Sequence, residues 1–322
     1  MLVLGLMGSP RNNGNTNYLL SLFMKEADRL GAQAEVIMVA DQDIVPCMGC
    51  ASCGKKGFCV IEDTMSSDIY PLFRKADVIV ASTPIFFYNA TAQLKALIDR
   101  SQALWSRKYI LQVSDPGCKF RRGFLLSLGA TKGKNLFDGL RLTTKYFFDA
   151  AGASFDGMLT YRHIEKPGDM KKHPSVLKEV KEAAGNLLNP LLARKKVLFV
   201  CKENACRSQI AAAFAQYMAG DKFEVLCGGS EPADKINSVM VEVMAEKEID
   251  MAFRIPKSID DAIAYVKPDH IITMGCEEKC PAVSGAGRED WALADPAGES
   301  ISFMRKIRDE IETRVMKLID ES

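Results

Sequence analysis

VLFVCKENACRS, residues 197–208, decides how the second half of this 322-residue chain reads. Residues 197–200 are apolar and make a short buried strand, a loop runs from Cys201 to Arg207, and a helix is expected over residues 208–218. A cysteine, five residues and an arginine at a strand-to-helix junction form a cradle for a tetrahedral oxyanion. Loop amides and the helix N-terminus point at the anion, and the arginine fork takes two of its oxygens. The same field favours a thiolate, the form in which Cys201 acts as a nucleophile. The substrate-binding positions are then Asn204, Ala205, Cys206, Arg207 and Ser208. A plain alternative is a cysteine packed at a strand end, with Arg207 in a surface ion pair. The strand before, the helix after and Ser208 directly behind the arginine weigh for the cradle.

This segment resembles the signature loop of the low-molecular-weight tyrosine phosphatase fold. Two later stretches resemble that fold's arsenate reductase branch: Met274-Gly275-Cys276-Glu277-Glu278-Lys279-Cys280-Pro281 and Asp290-Trp291-Ala292-Leu293-Ala294-Asp295-Pro296-Ala297-Gly298. The phosphatases resemble Asp-Pro-Tyr at the second stretch and lack the cysteine pair of the first. Here Ala297 follows Asp295-Pro296, and Cys276 and Cys280 are present. The resemblance covers residues 195–322 and implies four short parallel strands flanked by helices, with arsenate or a similar oxyanion as substrate. It implies attack by Cys201 on arsenic, protonation of the departing oxygen by Asp295, attack by Cys276 on Cys201, and resolution by Cys280. Such reductases take electrons from thioredoxin or a small thiol. Two departures stand out: Glu203 replaces the usual glycine, and only three residues separate Cys276 from Cys280. With that short spacing the relay either runs to Cys280 or stops at Cys276, where a small thiol takes over. Cys206 reads as a small buried residue.

Length and composition set the frame. The chain is long enough for two domains, each with its own core. Lys and Arg total 42 against 41 Asp and Glu, a net charge of +1, which suggests neither nucleic acid nor an anionic membrane as partner. No apolar run approaches the ~20 residues of a membrane span. The opening MLVLGLMGSP is too short, and too poor in basic residues, for a signal peptide. Ten clustered cysteines without an export signal point to reduced thiols in the cytoplasm, engaged in redox or metal chemistry.

The first half alternates strands and helices. Residues 2–7, 78–82 and 123–128 are buried strands, and the helix after the first places Leu19, Leu20, Phe23, Met24, Ala27 and Leu30 on one face. That alternation predicts an α/β doubly wound parallel sheet, with ligands at the carboxyl ends of its strands. The loops at that edge are Gly8-Ser9-Pro10-Arg11-Asn12-Asn13-Gly14-Asn15-Thr16, residues 83–89 and residues 129–133. With Leu94-Lys95-Ala96-Leu97-Ile98-Asp99-Arg100, these stretches resemble the NAD(P)H-dependent FMN reductase family of the flavodoxin-like fold over residues 1–161. The resemblance implies that Ser9, Arg11, Asn13, Asn15 and Thr16 hold the FMN phosphate. Pro84, Ile85, Phe86, Phe87, Tyr88 and Asn89 would wrap the ring, with Gly129 and Ala130 nearby; core packing is the alternative for the three aromatics. Relatives of this domain resemble dimers or tetramers.

Cys47, Cys50, Cys53 and Cys59, spaced by two, two and five residues, can present four thiolates to a [4Fe-4S] cluster. The spacing resembles the iron-sulfur flavoprotein branch of the reductase family. A zinc site and a plain flavoprotein remain open readings at this stage. Cys118 reads as structural.

Residues 1–165 are expected to form the flavodoxin-like domain and residues 195–322 the phosphatase-like one. Between them, residues 166–194 are linker and helix: the polar stretch of residues 163–174 reads as exposed linker and residues 174–192 as a helix. The fusion suggests a reductase in which nicotinamide electrons pass through FMN to the cysteine relay and arsenate. Two other readings use the same residues: a low-molecular-weight tyrosine phosphatase fused to a flavin reductase, and an electron-transfer flavoprotein whose second domain only senses oxyanions.

Overall fold

The computed structural model describes residues 1–275 and 285–322. They form two compact units, one of Met1–Gln112 with Cys118–Leu192, the other of Val113–Gly117 with Ala193–Ser322.

In the first unit β1 (Leu2–Met7), β2 (Gln33–Met38), β3 (Val78–Pro84), β4 (Arg122–Leu128) and β5 (Ser154–Tyr161) make one parallel sheet in the order β2-β1-β3-β4-β5. β1 is buried along its whole length, as its unbroken apolar run requires of a strand covered on both faces. The helix Asn15–Arg29 buries Leu19, Leu20, Phe23, Met24 and Ala27, the predicted stripe. This strand order is that of the flavodoxin-like doubly wound sheet, whose ligand crevice opens where the winding reverses, between β1 and β3. Met7 lies opposite Ser82 and Pro84 opposite Leu128, so the loops after β1, β3 and β4 leave from one edge.

Residues 163–174 are not the free linker their polarity suggests. Both ends of the Asn15 amide are spent on this segment: Nδ2 donates to Lys166 O at 2.8 Å, and Oδ1 accepts from the Gly168 and Met170 amides at 3.1 Å. Met170 is fully buried, and the His173 ring meets Tyr161 edge-on at 4.8 Å. The helix Val176–Leu192 then turns Val176, Val180, Ala184, Leu187, Leu188 and Leu191 into the core of the first unit.

The second unit is a four-stranded parallel sheet, β7-β6-β8-β9, built from β6 (Lys195–Cys201), β7 (Phe223–Gly229), β8 (His270–Thr273) and β9 (Gly287–Asp290). The helix Arg207–Ala219 is buried from Arg207 through Ala215; its run of alanines lets it pack closely beneath the sheet. The helix Ile301–Asp320 faces it with Met304, Ile307, Ile311, Val315 and Leu318. Here too the winding reverses beside the first strand, which brings the loop after β6 to the switch point. Among the described residues no helix is long and apolar enough to cross a membrane.

Candidate functional site

The loop after β6 is held by its carbonyls. Those of Cys201, Lys202, Glu203 and Ala205 accept from the amides of Ser230, Glu231, Ala233 and Asn237 at 3.3, 2.8, 3.0 and 2.9 Å. With its carbonyls turned out, the loop is left to offer its own N–H groups inward, the arrangement an anion needs. Asn204 takes the left-handed backbone in the middle of the loop, φ 50°, a conformation asparagine tolerates better than most residues. Its side chain donates to Ser208 Oγ at 2.8 Å, and Ser208 Oγ lies 3.0 Å from Cys201 Sγ. All three side chains are buried. A Cβ on Gly229 would lie 2.7 Å from Lys202 O and 2.8 Å from Asn204 N. Only glycine lets the end of β7 pass this close.

Arg207 is buried at the start of its helix and donates to Leu293 O at 3.0 Å and to Asp295 Oδ2 at 2.7 Å. Asp295 is half exposed, and its other oxygen accepts from the Ala297 amide at 3.1 Å. Arg207 and Asp295, the predicted binding cation and acid, are therefore in contact, and Cys201 and Ser208 lie in the same loop-helix junction. Cys206 packs against Met304 Sδ at 3.3 Å. Burial pushes its thiol well up, the Cys201 charge adds to that, and Arg207 opposes it, so Cys206 stays a neutral buried thiol. Cys276 and Cys280 lie outside the described residues. Gly275, just before them, sits beside the cradle: a Cβ there would be 3.5 Å from Arg207 Nη1.

In the first unit the loop after β1 is fixed by Gly8, whose amide donates to Ser82 O at 2.7 Å and whose carbonyl accepts from Thr91 Oγ1. A Cβ on Gly8 would meet Leu94 at 2.8 Å. Ser9 is buried and accepts from the Arg11 amide at 3.2 Å; Arg11 and Asn13 are exposed, and Thr16 is buried. The helix Asn15–Arg29 has no side-chain cap, so its first amides remain available to a phosphate. Of the predicted phosphate ligands, Asn15 has both ends of its side-chain amide occupied, by residues 166–170.

Phe87 and Tyr88 are the two central residues of a tight turn closed by Phe86 and Asn89, whose amides and carbonyls pair at 2.9 and 3.0 Å. Both are left-handed, at φ 47° and 63°, a costly conformation for bulky side chains that persists at functional sites. Phe87 is fully exposed and Phe86 and Tyr88 half exposed, so the core-packing alternative for these aromatics falls away. Asn89 Nδ2 donates to Thr143 Oγ1 at 3.1 Å, and a Cβ at Gly133 would lie 2.7 Å from the Tyr88 hydroxyl. Gly129 is likewise closed by Leu136, at 2.9 Å, with Ile85 beyond. The turn and residues 129–133 thus share one edge. An uncapped helix start, a buried serine and threonine, glycines set for close approach and exposed aromatics fit FMN.

Cys47 and Cys50 are exposed, and Cys53 and Cys59 partly buried. Cys53 Sγ accepts from Ser106 Oγ at 3.5 Å, while the Ser52 amide, then its hydroxyl, lowers the Cys50 thiol. Among the described residues no three His, Cys, Asp or Glu side chains converge as a metal-binding group. Sequence reasoning missed what holds the loop of these cysteines. Arg100 and Asp63 form a buried pair at 2.5 and 2.9 Å; Arg100 also donates to Val45 O and Ile61 O, and Asp63 Oδ2 accepts from the Val45 amide.

Residues 1–122 match the family described as NADPH-dependent FMN reductase, and residues 196–322 the family described as low molecular weight phosphotyrosine protein phosphatase. The arsenate reductase 2 of Staphylococcus epidermidis is 33% identical over 125 residues, which are 38% of this chain and 94% of that protein. The second half of the chain belongs to the arsenate reductase family. An iron-sulfur flavoprotein of Methanosarcina thermophila is 33% identical over 132 residues, 41% of this chain and 65% of its own length, so the chain spans just under two thirds of that relative. A solved arsenate reductase in the phosphate binding state is 34% identical, covers 39% of this chain and 98% of its own, and superposes with a TM-score of 0.37. The chain thus joins a first half that matches the FMN reductase family model to an arsenate reductase-family second half. Within the arsenate reductase-family unit, Gly229 was missed by sequence reasoning; the doublet Gly228-Gly229 at a strand end was the available signal.

Proposed function

We propose that the chain is a self-contained reductase, in which NAD(P)H and FMN feed a cysteine relay that reduces arsenate to arsenite. The observation that supports this most is the outward set of four cradle carbonyls, with Cys201 Sγ 3.0 Å from Ser208 Oγ and Arg207 paired to Asp295 at 2.7 Å. A tetrahedral oxyanion would displace Asp295 from part of the Arg207 fork and accept from the loop amides. The Cys201 thiolate attacks arsenic and forms a sulfur–arsenic bond, while Asp295 passes its proton to the departing oxygen, which leaves as water.

Cys276, as thiolate, then attacks Cys201 Sγ. The sulfur–arsenic bond breaks with its electron pair going to arsenic, so arsenic(V) becomes arsenic(III), arsenite departs, and a Cys201–Cys276 disulfide remains. Attack by Cys280 on Cys276 returns Cys201 as thiolate and leaves a Cys276–Cys280 disulfide. Two electrons per turnover must reach that disulfide. FMN bound in the first unit would supply the hydride chemistry that passes electrons from NAD(P)H. Ser9, Arg11, Asn13 and Thr16, with the first amides of the helix Asn15–Arg29, would hold its phosphate; Pro84, Ile85 and the aromatic turn, with Gly129 and Ala130, would border its ring. Covalent attachment of the two domains raises their effective concentration and replaces an external thioredoxin or small thiol. Such a relay needs reduced thiols, which suits a cytoplasmic protein, and the flavin domain's resemblance supports a homo-oligomer. The iron-sulfur reading of Cys47, Cys50, Cys53 and Cys59 has the support of their spacing and of the flavoprotein relative's name alone.

The test of the relay is arsenite formation by the purified chain with a dithiol as reductant. Cys201→Ser and Cys276→Ser should each abolish it. A Cys276→Ser variant that keeps full arsenate turnover would overturn the relay. The cradle would serve phosphate esters too; hydrolysis of an aryl phosphate that survives Cys276→Ser, with no arsenate turnover in the wild type, would make this unit a phosphatase.

A further inference from the structure

The cradle is backed by a line of side chains that reaches residue 254. Arg254 Nη1 donates to Gln209 Oε1 at 3.2 Å, and its Nη2 to Gln216 Oε1 at 2.8 Å. A guanidinium has donors only, so the Gln209 amide must turn its oxygen to Arg254. Its NH2 is then left facing Asn204 Oδ1, at 3.2 Å. The Lys257 amide, also a donor only, reaches the same oxygen at 3.0 Å, which fixes the Asn204 amide from a second side. The Asn204 NH2 therefore faces Ser208 Oγ, at 2.8 Å, and Ser208, having accepted there, turns its one proton toward Cys201 Sγ at 3.0 Å. Gln209, Asn204 and Ser208 are all buried, so water does not compete for these groups. Phe253, just before the arginine, holds left-handed backbone at φ 64°, an outlier for a bulky residue.

We infer that Arg254 is a positioning residue for Cys201, and that it orients a one-way line of donors through Gln209, Asn204 and Ser208 onto the sulfur. This rests on the reading of Cys201 as the nucleophile. A hydroxyl held as donor stabilises a thiolate far more than a thiol, because hydrogen bonds to a charged acceptor are about twice as strong as neutral ones. The Arg254 fork acts from outside the signature loop and does not touch the oxyanion.

The test compares Arg254→Gln, Gln209→Met and Arg254→Lys in the full chain. A glutamine at 254 can present either face of its amide and so loses the direction; a methionine at 209 keeps volume but relays nothing; lysine remains a pure donor. The readouts are the rate at which iodoacetamide alkylates Cys201 at pH 7, followed on its own peptide by mass spectrometry, and the ultraviolet thiolate absorbance of each variant minus that of its Cys201→Ser counterpart. Arg254→Gln and Gln209→Met should each slow alkylation about tenfold, the weight of one hydrogen bond to a charged group, and diminish the thiolate absorbance. Arg254→Lys should stay within about twofold of wild type. Wild-type alkylation in either of the first two, or a lysine variant that falls as far as the glutamine one, would overturn the inference. Neither readout depends on arsenate turnover, so failure of the reductase reading and failure of this inference are distinguishable.

Discussion

At the residue scale the cradle depends on side chains that are absent as much as on those present. Gly229 carries no Cβ where one would sit 2.7 Å from Lys202 O. Gly229→Ala must therefore push the loop or the end of β7 aside. The expected cost is about 1–3 kcal/mol of unfolding free energy, with weakened binding of arsenate and phosphate; unfolding titrations and anion protection against iodoacetamide measure the two. An alanine variant as stable as wild type and equally protected would show that the contact is not needed. The nucleophile's loop was legible in sequence because Cys201, Asn204, Arg207 and Ser208 are contiguous. Arg254 was not, since only folding brings it to Gln209, and Gly229, which strand pairing brings to the loop, left only the Gly228-Gly229 doublet as a sign.

At the element scale, two loops show what holds an exposed segment in place. The cysteine loop is closed at its base by Asp63 and Arg100, each 1% exposed. Burial alone would raise the Asp63 carboxyl, but the Arg100 fork and the Val45 amide outweigh it, and the net direction is down. A carboxyl held below its unfolded value of about 3.9 contributes stability that is present above that pH and lost as pH falls through the folded value. Acid unfolding of the wild type should show this loss below about pH 4, and Asp63→Asn, which leaves Arg100 buried without its counter-charge, should cost about 3–5 kcal/mol at neutral pH. An asparagine variant with unchanged stability at pH 7 would contradict this account of the clamp.

The turn at Phe87 and Tyr88 is the opposite case, with strain retained on the surface. Phe87→Asn should raise stability by about 1 kcal/mol, because asparagine accepts a left-handed backbone more readily, while FMN affinity falls. Calorimetry and flavin fluorescence titration check the pair; a variant that gains no stability and binds FMN as before would contradict the functional reading of the turn. The buried strands were legible as apolar runs, β1 to the residue. β9, Gly-Arg-Glu-Asp, has every residue exposed and no apolar signal, and exists only because β8 offers an edge to pair with. Residues 163–174 read as linker because what ties them down lies far off in sequence: Asn15, 151 to 155 positions before Lys166, Gly168 and Met170, bonds the backbone of all three.

At the scale of the whole molecule, both units obey one rule of parallel sheets. Each places the loop of its candidate site after the first strand of its sheet, where the winding reverses: β1 leads into Gly8 and Ser9, β6 into Cys201 and Arg207. On the proposed function, one loop takes the phosphate of FMN and the other the oxyanion to be reduced. On that proposal, their fusion gives one chain both ends of a two-electron reaction. The measurement that tests this most directly is anaerobic oxidation of NADH or NADPH by the FMN-loaded protein, with and without arsenate, in wild type, Cys201→Ser and Cys276→Ser. The account predicts that arsenate drives nicotinamide oxidation in wild type, with arsenite formed in equal amount, and that both substitutions abolish the stimulation. Nicotinamide oxidation that is indifferent to arsenate in the wild type would contradict it.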